Sequence, residues 1–200
     1  MSNKEFISMS LKTIFEMLYD RKIIDQAQKE NMAGFSEYSD SIQNKLSFTI
    51  QVTNNVKILY YLPAKFKWSE LKKCLEDTQN EDATLNLLIL VVREKVSQNN
   101  MKLINGFIGE TIKTIQVFDI KELQFNISHH ILVPRHEILF DEQEVKDIIN
   151  RYSLKSKFQL PHILRTDPMS KYLGLKGGDV VKITRVSQTA GEYITYRCCL

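Results

Sequence analysis

The first two thirds of the chain switch between two spacings of hydrophobic residues. Between residues 5 and 20 the apolar side chains recur every three or four positions, which predicts an amphipathic helix. Asp25 is a suitable cap for a second helical stretch that ends near Gly34. Residues 46–52 instead alternate apolar and polar, the period of a strand with one covered face. After a turn at residues 53–55, the run Val56–Leu62 predicts a partner strand, so the two should form a hairpin.

The next segments predict a helix and two further strands. Apolar side chains return at helical spacing from Trp68, and polar residues 78–82 then predict a loop. Residues 85–92 are almost all Leu, Ile and Val, which is typical of a central strand buried on both faces. Residues 97–100 predict a polar turn, and residues 112–118 predict another strand. This order predicts an α/β or α+β domain with a small mixed sheet flanked by helices.

The last third of the chain is richer in turn-forming residues and opens with two helix starts. Asp141 can cap a helix whose apolar stripe consists of Val145, Ile148, Ile149 and Tyr152. Asp167 followed by Pro168 is a second helix start, and Gly174 is a suitable end because a residue there often needs positive φ.

A hairpin is predicted to close the chain. Residues 177–178 predict a turn, and residues 180–185 form a short β-branched run that predicts a strand. Residues 189–192 predict a loop in which Gly191 lets the chain reverse, and residues 193–197 pair back as the second strand. The region therefore predicts a small α+β module, whose thin core is of a kind often completed by a partner.

Several short motifs in this region, taken in order, resemble one protein family. The motifs are His130 to His136, Leu160-Pro161, Asp167-Pro168, Tyr172 to Leu175, Gly178 to Ile183, Arg185, Gly191 to Tyr193, and Tyr196-Arg197. They resemble the C-terminal module shared by a small archaeal RNA polymerase subunit and the fifth subunit common to eukaryotic nuclear RNA polymerases. The length of the chain matches the two-domain, eukaryotic-type version.

The resemblance implies a non-catalytic subunit of a multisubunit DNA-directed RNA polymerase, present in one copy and without a cofactor. It implies a jaw domain at residues 1–128, restriction-endonuclease-like in fold, beside downstream duplex DNA that it contacts weakly and without sequence preference. It implies an assembly module at residues 129–200 that docks on the largest polymerase subunit. The assembly or fold-maintaining residues that follow from the motifs are His130, Pro134, His136, Pro161, Asp167, Pro168, Gly174, Gly178, Arg185, Gly191, Tyr196 and Arg197.

The resemblance also assigns a DNA-proximal loop in the jaw. A family loop that approaches the duplex corresponds here to Ser97, Gln98, Asn99 and Asn100, followed by Met101 and Lys102. Lys102 matches the family pattern, whereas Gln98 replaces a proline and so removes a fixed φ. The asparagines can still donate to phosphates, which position a duplex without reading its sequence. A solvated turn without DNA contact is the alternative.

Composition and charge add limits rather than a function. Residues 1–128 carry 16 basic and 16 acidic side chains, and residues 129–200 carry 11 and 8, so the net charge of +3 does not by itself indicate a nucleic-acid binder. No apolar run is long enough to span a bilayer, and three cysteines do not form a disulfide framework. The 21 Ile against 5 Ala suggest an AT-rich genome. A cellular source implies the nucleus, and a large cytoplasmic DNA virus would imply the host cytoplasm or the virion.

Two chemical alternatives compete with the structural interpretation. The four histidines lack zinc-ligand spacing, so we expect no metal, and His130 and His136 should instead bond backbone groups around the loop between them. A metal-dependent nuclease or a free-standing DNA-binding protein is the alternative function. The triplet Asp119, Ile120 and Lys121 has the spacing between carboxylate and lysine that such a nuclease requires, but one such triplet is common by chance.

Overall fold

A computed structural model describes residues 3–30, 47–81, 85–109, 111–187 and 191–200. The chain divides into two compact units, Met1–Phe125 and Asn126–Leu200, against an expected boundary after residue 128. The helices are α1 (Asn3–Asp20), α2 (Gln26–Glu30), α3 (Trp68–Glu81), α4 (Gln98–Asn105), α5 (Glu142–Arg151) and α6 (Pro168–Leu173). The strands are β1 (Ser47–Thr53), β2 (Val56–Tyr61), β3 (Leu87–Val92), β4 (Ile115–Asp119), β5 (Arg135–Leu139), β6 (His162–Ile163), β7 (Val180–Ser187) and β8 (Gly191–Cys199).

The N-terminal unit contains a mixed sheet in the order β1-β2-β3-β4. β1 and β2 form the predicted antiparallel hairpin, while β2, β3 and β4 run parallel to one another. Every residue of β2 and β3 is buried, which confirms the central strand predicted from the Leu, Ile and Val run.

Helices supply the core that this sheet needs. α3 buries Leu71 and Leu75 against Leu59 and Leu88 of the sheet, as its helical spacing predicts. α1 contributes Ser10, whose hydroxyl lies 2.8 Å from the hydroxyl of Tyr60, and both side chains are fully buried. The prediction of helix 5–20 is confirmed. That of the second helix is confirmed up to Glu30, and its expected end at Gly34 lies outside the described residues.

Two predictions for polar segments of this unit were wrong. Residues 78–81 continue α3 instead of forming a loop, and the hydroxyl of Thr78, which is buried, finds a partner within the helix by donating to the carbonyl of Cys74 one turn back at 2.7 Å. Residues 98–100 begin α4 instead of forming a turn. Ser97 caps this helix, because its Oγ accepts from the backbone N–H of Asn100 at 3.4 Å.

The C-terminal unit contains a second sheet, in the order β5-β7-β8-β6. β7 pairs antiparallel with β5 and with β8, and β6 pairs parallel with the last two residues of β8. α5 begins after Asp141 and α6 after Asp167, and each aspartate accepts from a first-turn N–H, as predicted. Gly174 ends α6 in the left-handed conformation at φ 71°, which confirms the predicted end.

The closing hairpin is also present, with one correction. Gly191 and Glu192 were expected in the loop but belong to β8, because Gly191 pairs with Ser187 in register. Gly191 keeps φ +71°, so it still supplies the backbone conformation that the reversal needs. Among the described residues, no helix is long and apolar enough to cross a membrane.

Candidate docking groove in the C-terminal module

The loop that enters the C-terminal module is fastened to α6 through Asn126. Its side-chain amide donates to the hydroxyl of Tyr172 at 3.0 Å, while its side-chain oxygen accepts from the backbone N–H and the hydroxyl of Ser128 at 2.9 and 2.7 Å. A short 3-10 helix over residues 127–129 follows. Because Tyr172 is itself buried, this network holds one wall of a groove in a fixed position.

The next residues form a tight turn in which both predicted histidines bond the backbone. The N–H of Leu132 donates to Nδ1 of His130 at 3.2 Å, and the N–H of Val133 donates to the carbonyl of His130 at 2.8 Å. Nδ1 of His136 lies 2.6 Å from the carbonyl of Pro134, and since a carbonyl only accepts, this nitrogen carries the proton. Both contacts confirm the structural interpretation of these histidines.

The turn, the start of α6 and residues from all four strands of the sheet together enclose a groove of about 290 Å³, which we call the arginine groove. It is lined by Ile127, Leu132, Val133, Pro134, His136, Ile163, Asp167, Pro168, Met169, Ile183, Arg185 and Arg197. At the turn, Ile131 is 94% exposed and Leu132 is 82% exposed. Two adjacent apolar side chains that stand in solvent beside a groove are typical of a surface that meets another molecule.

The charged residues of the groove favour an acidic partner. Asp167 already accepts from the N–H of Met169 at 2.9 Å as the cap of α6. Arg197 donates to the carbonyl of His162 at 3.3 Å, and neither Arg197 nor Arg185 forms a salt bridge within the described part of the chain. Guanidinium groups suit carboxylates because their donors match both carboxylate oxygens at once. The groove therefore combines an apolar floor with two cations.

The structure brings together half of the residues predicted for assembly. Pro134, His136, Asp167, Pro168, Arg185 and Arg197 all line the arginine groove. These residues lie on four segments that are distant in sequence, so no local spacing joins them. Ile127, Ile163 and Met169 also line the groove but were absent from the prediction, because isolated apolar residues carry no functional signal in a sequence.

The other predicted assembly residues act elsewhere in the module. His130 holds the turn, Gly174 ends α6, and Gly191 begins β8. Gly178 has φ +89°, and a side chain there would meet the amine of Lys157 at 3.1 Å. The remaining two adjoin β8: Pro161 accepts from the N–H of Cys198 at 2.9 Å, and Tyr196 packs on the face of the sheet that carries α5. These six residues make contacts within the module and do not line the groove.

The predicted DNA-proximal residues lie at the carboxyl edge of the N-terminal sheet. β2, β3 and β4 are parallel, so the segments after all three strands meet at this edge. Gln98 and Asn99 are exposed on the first turn of α4 and Lys102 on its last turn, and Arg93 and Lys95 are exposed on the segment that precedes the helix. The free N–H groups of a helix start favour anions, although here Ser97 uses one of them.

The same edge contains the triplet that has nuclease spacing. Oδ1 of Asp119 accepts from the backbone N–H of Lys121 at 2.9 Å. Within the described ranges there is no group of three or more His, Cys, Asp and Glu that could hold a metal ion.

Comparison with known proteins agrees with this geometry. A family model described as "RNA polymerase Rpb5, C-terminal domain" matches residues 125–199, which include the whole arginine groove. The chain is 34% identical over 192 residues to "DNA-directed RNA polymerases I, II, and III subunit rpabc1" of Dictyostelium discoideum, and the match covers 94% of each chain. It is 31% identical over 199 residues to the corresponding "subunit RPABC1" of Caenorhabditis elegans, with 93% of this chain and 92% of the relative covered.

The fold, the groove and these matches define a class, that of subunits of DNA-directed RNA polymerases. Both relatives match over nearly their full length, so the likeness includes the N-terminal domain as well as the C-terminal module. The chain belongs to the Rpb5/RPABC1 family.

Proposed function

We propose that the chain is an accessory subunit of a nuclear DNA-directed RNA polymerase, anchored to the largest subunit through the arginine groove. One observation carries this proposal: Pro134, His136, Asp167, Arg185 and Arg197 converge on one apolar groove. The groove lies within the part of the chain matched by the family model. An apolar cavity with two guanidinium groups suits a partner segment that has an apolar side chain and a carboxylate.

The N-terminal domain is proposed to form the lower jaw beside downstream DNA, with a restriction-endonuclease-like fold. The exposed residues Gln98 and Asn99 at the start of α4, and Lys102 in its last turn, support this proposal. Contact with phosphates through these groups positions the duplex without reading its sequence. Since residues 1–128 balance 16 basic with 16 acidic side chains, the isolated chain should bind DNA weakly.

The proposed subunit is present in one copy per polymerase, works in the nucleus and has no catalytic group of its own. Its contribution is mechanical, because it joins a fixed assembly module to a jaw. The names of both relatives place them in RNA polymerases I, II and III, and sharing among the three is proposed for this chain as well.

Reversal of the groove's charge tests the anchoring. In the double variant Arg185→Glu and Arg197→Glu, two carboxylates face the partner's carboxylate, and like charges across an interface cost several kcal/mol. We expect incorporation of the variant into polymerase to fall at least about tenfold. Incorporation is measured by purifying the tagged chain and quantifying the largest subunit that elutes with it. Thermal unfolding of the free variant checks that the module still folds.

The control is the double variant Lys155→Glu and Lys176→Glu. It makes the same change in net charge at two exposed lysines outside the groove. We expect it to assemble as the wild-type chain does. Equal incorporation of both double variants would show that the groove is not the anchor.

A further inference from the structure

One side of β8 has no partner along most of its length. β8 pairs with β7 from Gly191 to Cys198, whereas β6 pairs only with Cys198 and Cys199. Within the described part of the module, no strand pairs with residues 191–197 on the side away from β7. Gly191, Glu192, Tyr193 and Ile194 are exposed, so solvent reaches this side, which we call the free edge.

The direction of each backbone group on the free edge follows from the hydrogen bonds at its end. The N–H of Cys199 donates at 2.8 Å to the carbonyl of Asp179, on the β7 side, and the N–H of Cys198 donates at 2.9 Å to Pro161, on the β6 side. In a strand, consecutive residues direct their backbone groups to opposite sides. The N–H and C=O groups of Glu192, Ile194 and Tyr196 therefore point outward.

Pro161 explains why β6 leaves these groups open. The parallel ladder contains the bond from the N–H of Cys198 to Pro161, and from the N–H of Leu200 to Ile163 at 3.0 Å. To extend the pairing toward the start of β8, the next hydrogen bond of the ladder would have to run from a backbone N–H of residue 161 to the carbonyl of Tyr196. Proline has no N–H, so the pairing ends there.

The free edge carries two charged side chains, Glu192 and Arg197, but lacks the other features that usually protect an edge strand. Proteins block exposed edges with proline, lysine, bulges or very short strands. At the opposite edge of the same sheet, β5 has five residues, follows Pro134 and carries an ion pair of 2.7 Å between Arg135 and Glu137. In the N-terminal sheet, edge strand β1 contains a register shift. Residues 191–197 contain no proline or lysine, and their pairing with β7 shows no register shift.

We propose that an extended segment of the largest polymerase subunit adds a strand to the free edge and continues the sheet. This proposal deepens the proposed function and rests on it. A strand added here would place alternate side chains on the two faces of the sheet. One set would lie beside Ile194 and Tyr196, where Tyr152 already packs on Tyr196, and should be apolar. The other set would lie beside Tyr193 and Arg197, so a carboxylate there would meet a guanidinium that lines the arginine groove.

The substitution Ile194→Pro tests the backbone contact itself. It removes an N–H that points outward, so the pairing with β7 keeps its hydrogen bonds, while the added strand loses one and meets the proline ring. Ile194→Thr is the matched control, because it changes the side chain and keeps the N–H. We expect Ile194→Pro to reduce incorporation of the full chain by about tenfold or more, and Ile194→Thr to stay within about twofold.

Hydrogen exchange on the wild-type chain gives a second test that needs no variant. In the free chain, the amides of Glu192, Ile194 and Tyr196 should exchange quickly, while those of Tyr193 and Thr195, which face β7, are protected. In purified polymerase the first three should become protected as well. Unchanged fast exchange of these amides in the polymerase would overturn strand addition.

The outcomes also separate this proposal from the one on which it rests. If the wild-type chain fails to purify with the largest subunit, the proposed function itself is wrong. If it does purify, and Ile194→Pro folds and assembles normally, only strand addition is wrong. A concentration-dependent dimer of the free chain that Ile194→Pro abolishes, together with normal assembly of that variant, would assign the free edge to a second copy and overturn the occupant proposed here.

Discussion

The hairpin of the C-terminal module depends on a single backbone conformation at Gly191. A side chain at this position would meet no atom within 4 Å, so steric collision does not contribute to the stability lost when Gly191 is replaced. The cost comes from φ +71°, where a non-glycine residue is disfavoured by about 1–2 kcal/mol and a β-branched residue by more. Gly191→Val should therefore destabilise the module by about 2 kcal/mol. Gly191→Asn should cost less, because asparagine tolerates the left-handed region better.

The assay is differential scanning calorimetry of the full chain. For a unit the size of Asn126–Leu200, 1 kcal/mol corresponds to a shift in Tm of about 4–8 °C, so Gly191→Val should lower the Tm of this unit by roughly 8–16 °C. Gly177→Val is the control, because Gly177 also has open space but does not have positive φ. We expect the control to lose only a fraction of that shift. Equal shifts for both valine variants, or no shift for Gly191→Val, would refute the argument from backbone conformation.

Two more predictions concern buried polar groups. Ser10→Ala should cost more stability than Tyr60→Phe in chemical denaturation. The Ser10 hydroxyl also donates to the carbonyl of Ile7 at 2.8 Å, so it keeps a partner in Tyr60→Phe. In Ser10→Ala, by contrast, the buried hydroxyl of Tyr60 loses its acceptor. Equal losses of stability in the two variants would contradict this. Burial raises the pKa of the Cys198 and Cys199 thiols, so the folded state disfavours the thiolates. The free energy of unfolding that this contributes is fully present below the ordinary thiol pKa of about 8.5, and it is lost as the pH rises through the raised pKa of the folded state. The urea midpoint should therefore fall between pH 7 and pH 9.5, and both thiols should resist alkylation in the native chain at pH 7; rapid alkylation of either would contradict the burial.

The elements that could be predicted from the sequence are those whose residues act locally. The alternation of residues 46–52 and the apolar run of residues 85–92 each determine a strand, because burial on one or two faces leaves a direct pattern. Asp167 with Pro168 at the start of α6, and Gly174 at its end, meet the needs of helix termini within a few residues. Such signals need no knowledge of the rest of the fold.

The segments that were predicted wrongly are polar stretches whose state depends on tertiary packing. Residues 78–81 contain no apolar residue, yet they extend α3, whose earlier turns are held against the sheet by Leu71 and Leu75. The polar residues after Ser97 begin a helix because Ile104, further along the same helix, packs in the core. Composition alone favours a turn in both places.

The arginine groove could be predicted in part. The resemblance to a family identified Arg185 and Arg197, but it did not separate residues that line a surface from residues such as Gly174 that shape the chain. That separation required the fold, because the groove unites the turn after residue 126, the start of α6 and all four strands of one sheet. The free edge of β8 could not be predicted from the sequence either, because it depends on where the pairing with β6 ends.

Stoichiometric co-purification is the most direct test of the central claim that this chain is a structural subunit of RNA polymerase. The tagged chain would be purified from its native source at physiological salt, and the proteins that elute with it would be quantified by mass spectrometry. The account predicts two very large polymerase subunits in amounts equal to the tagged chain. Recovery of the chain alone, or with DNA but without those subunits, would contradict it.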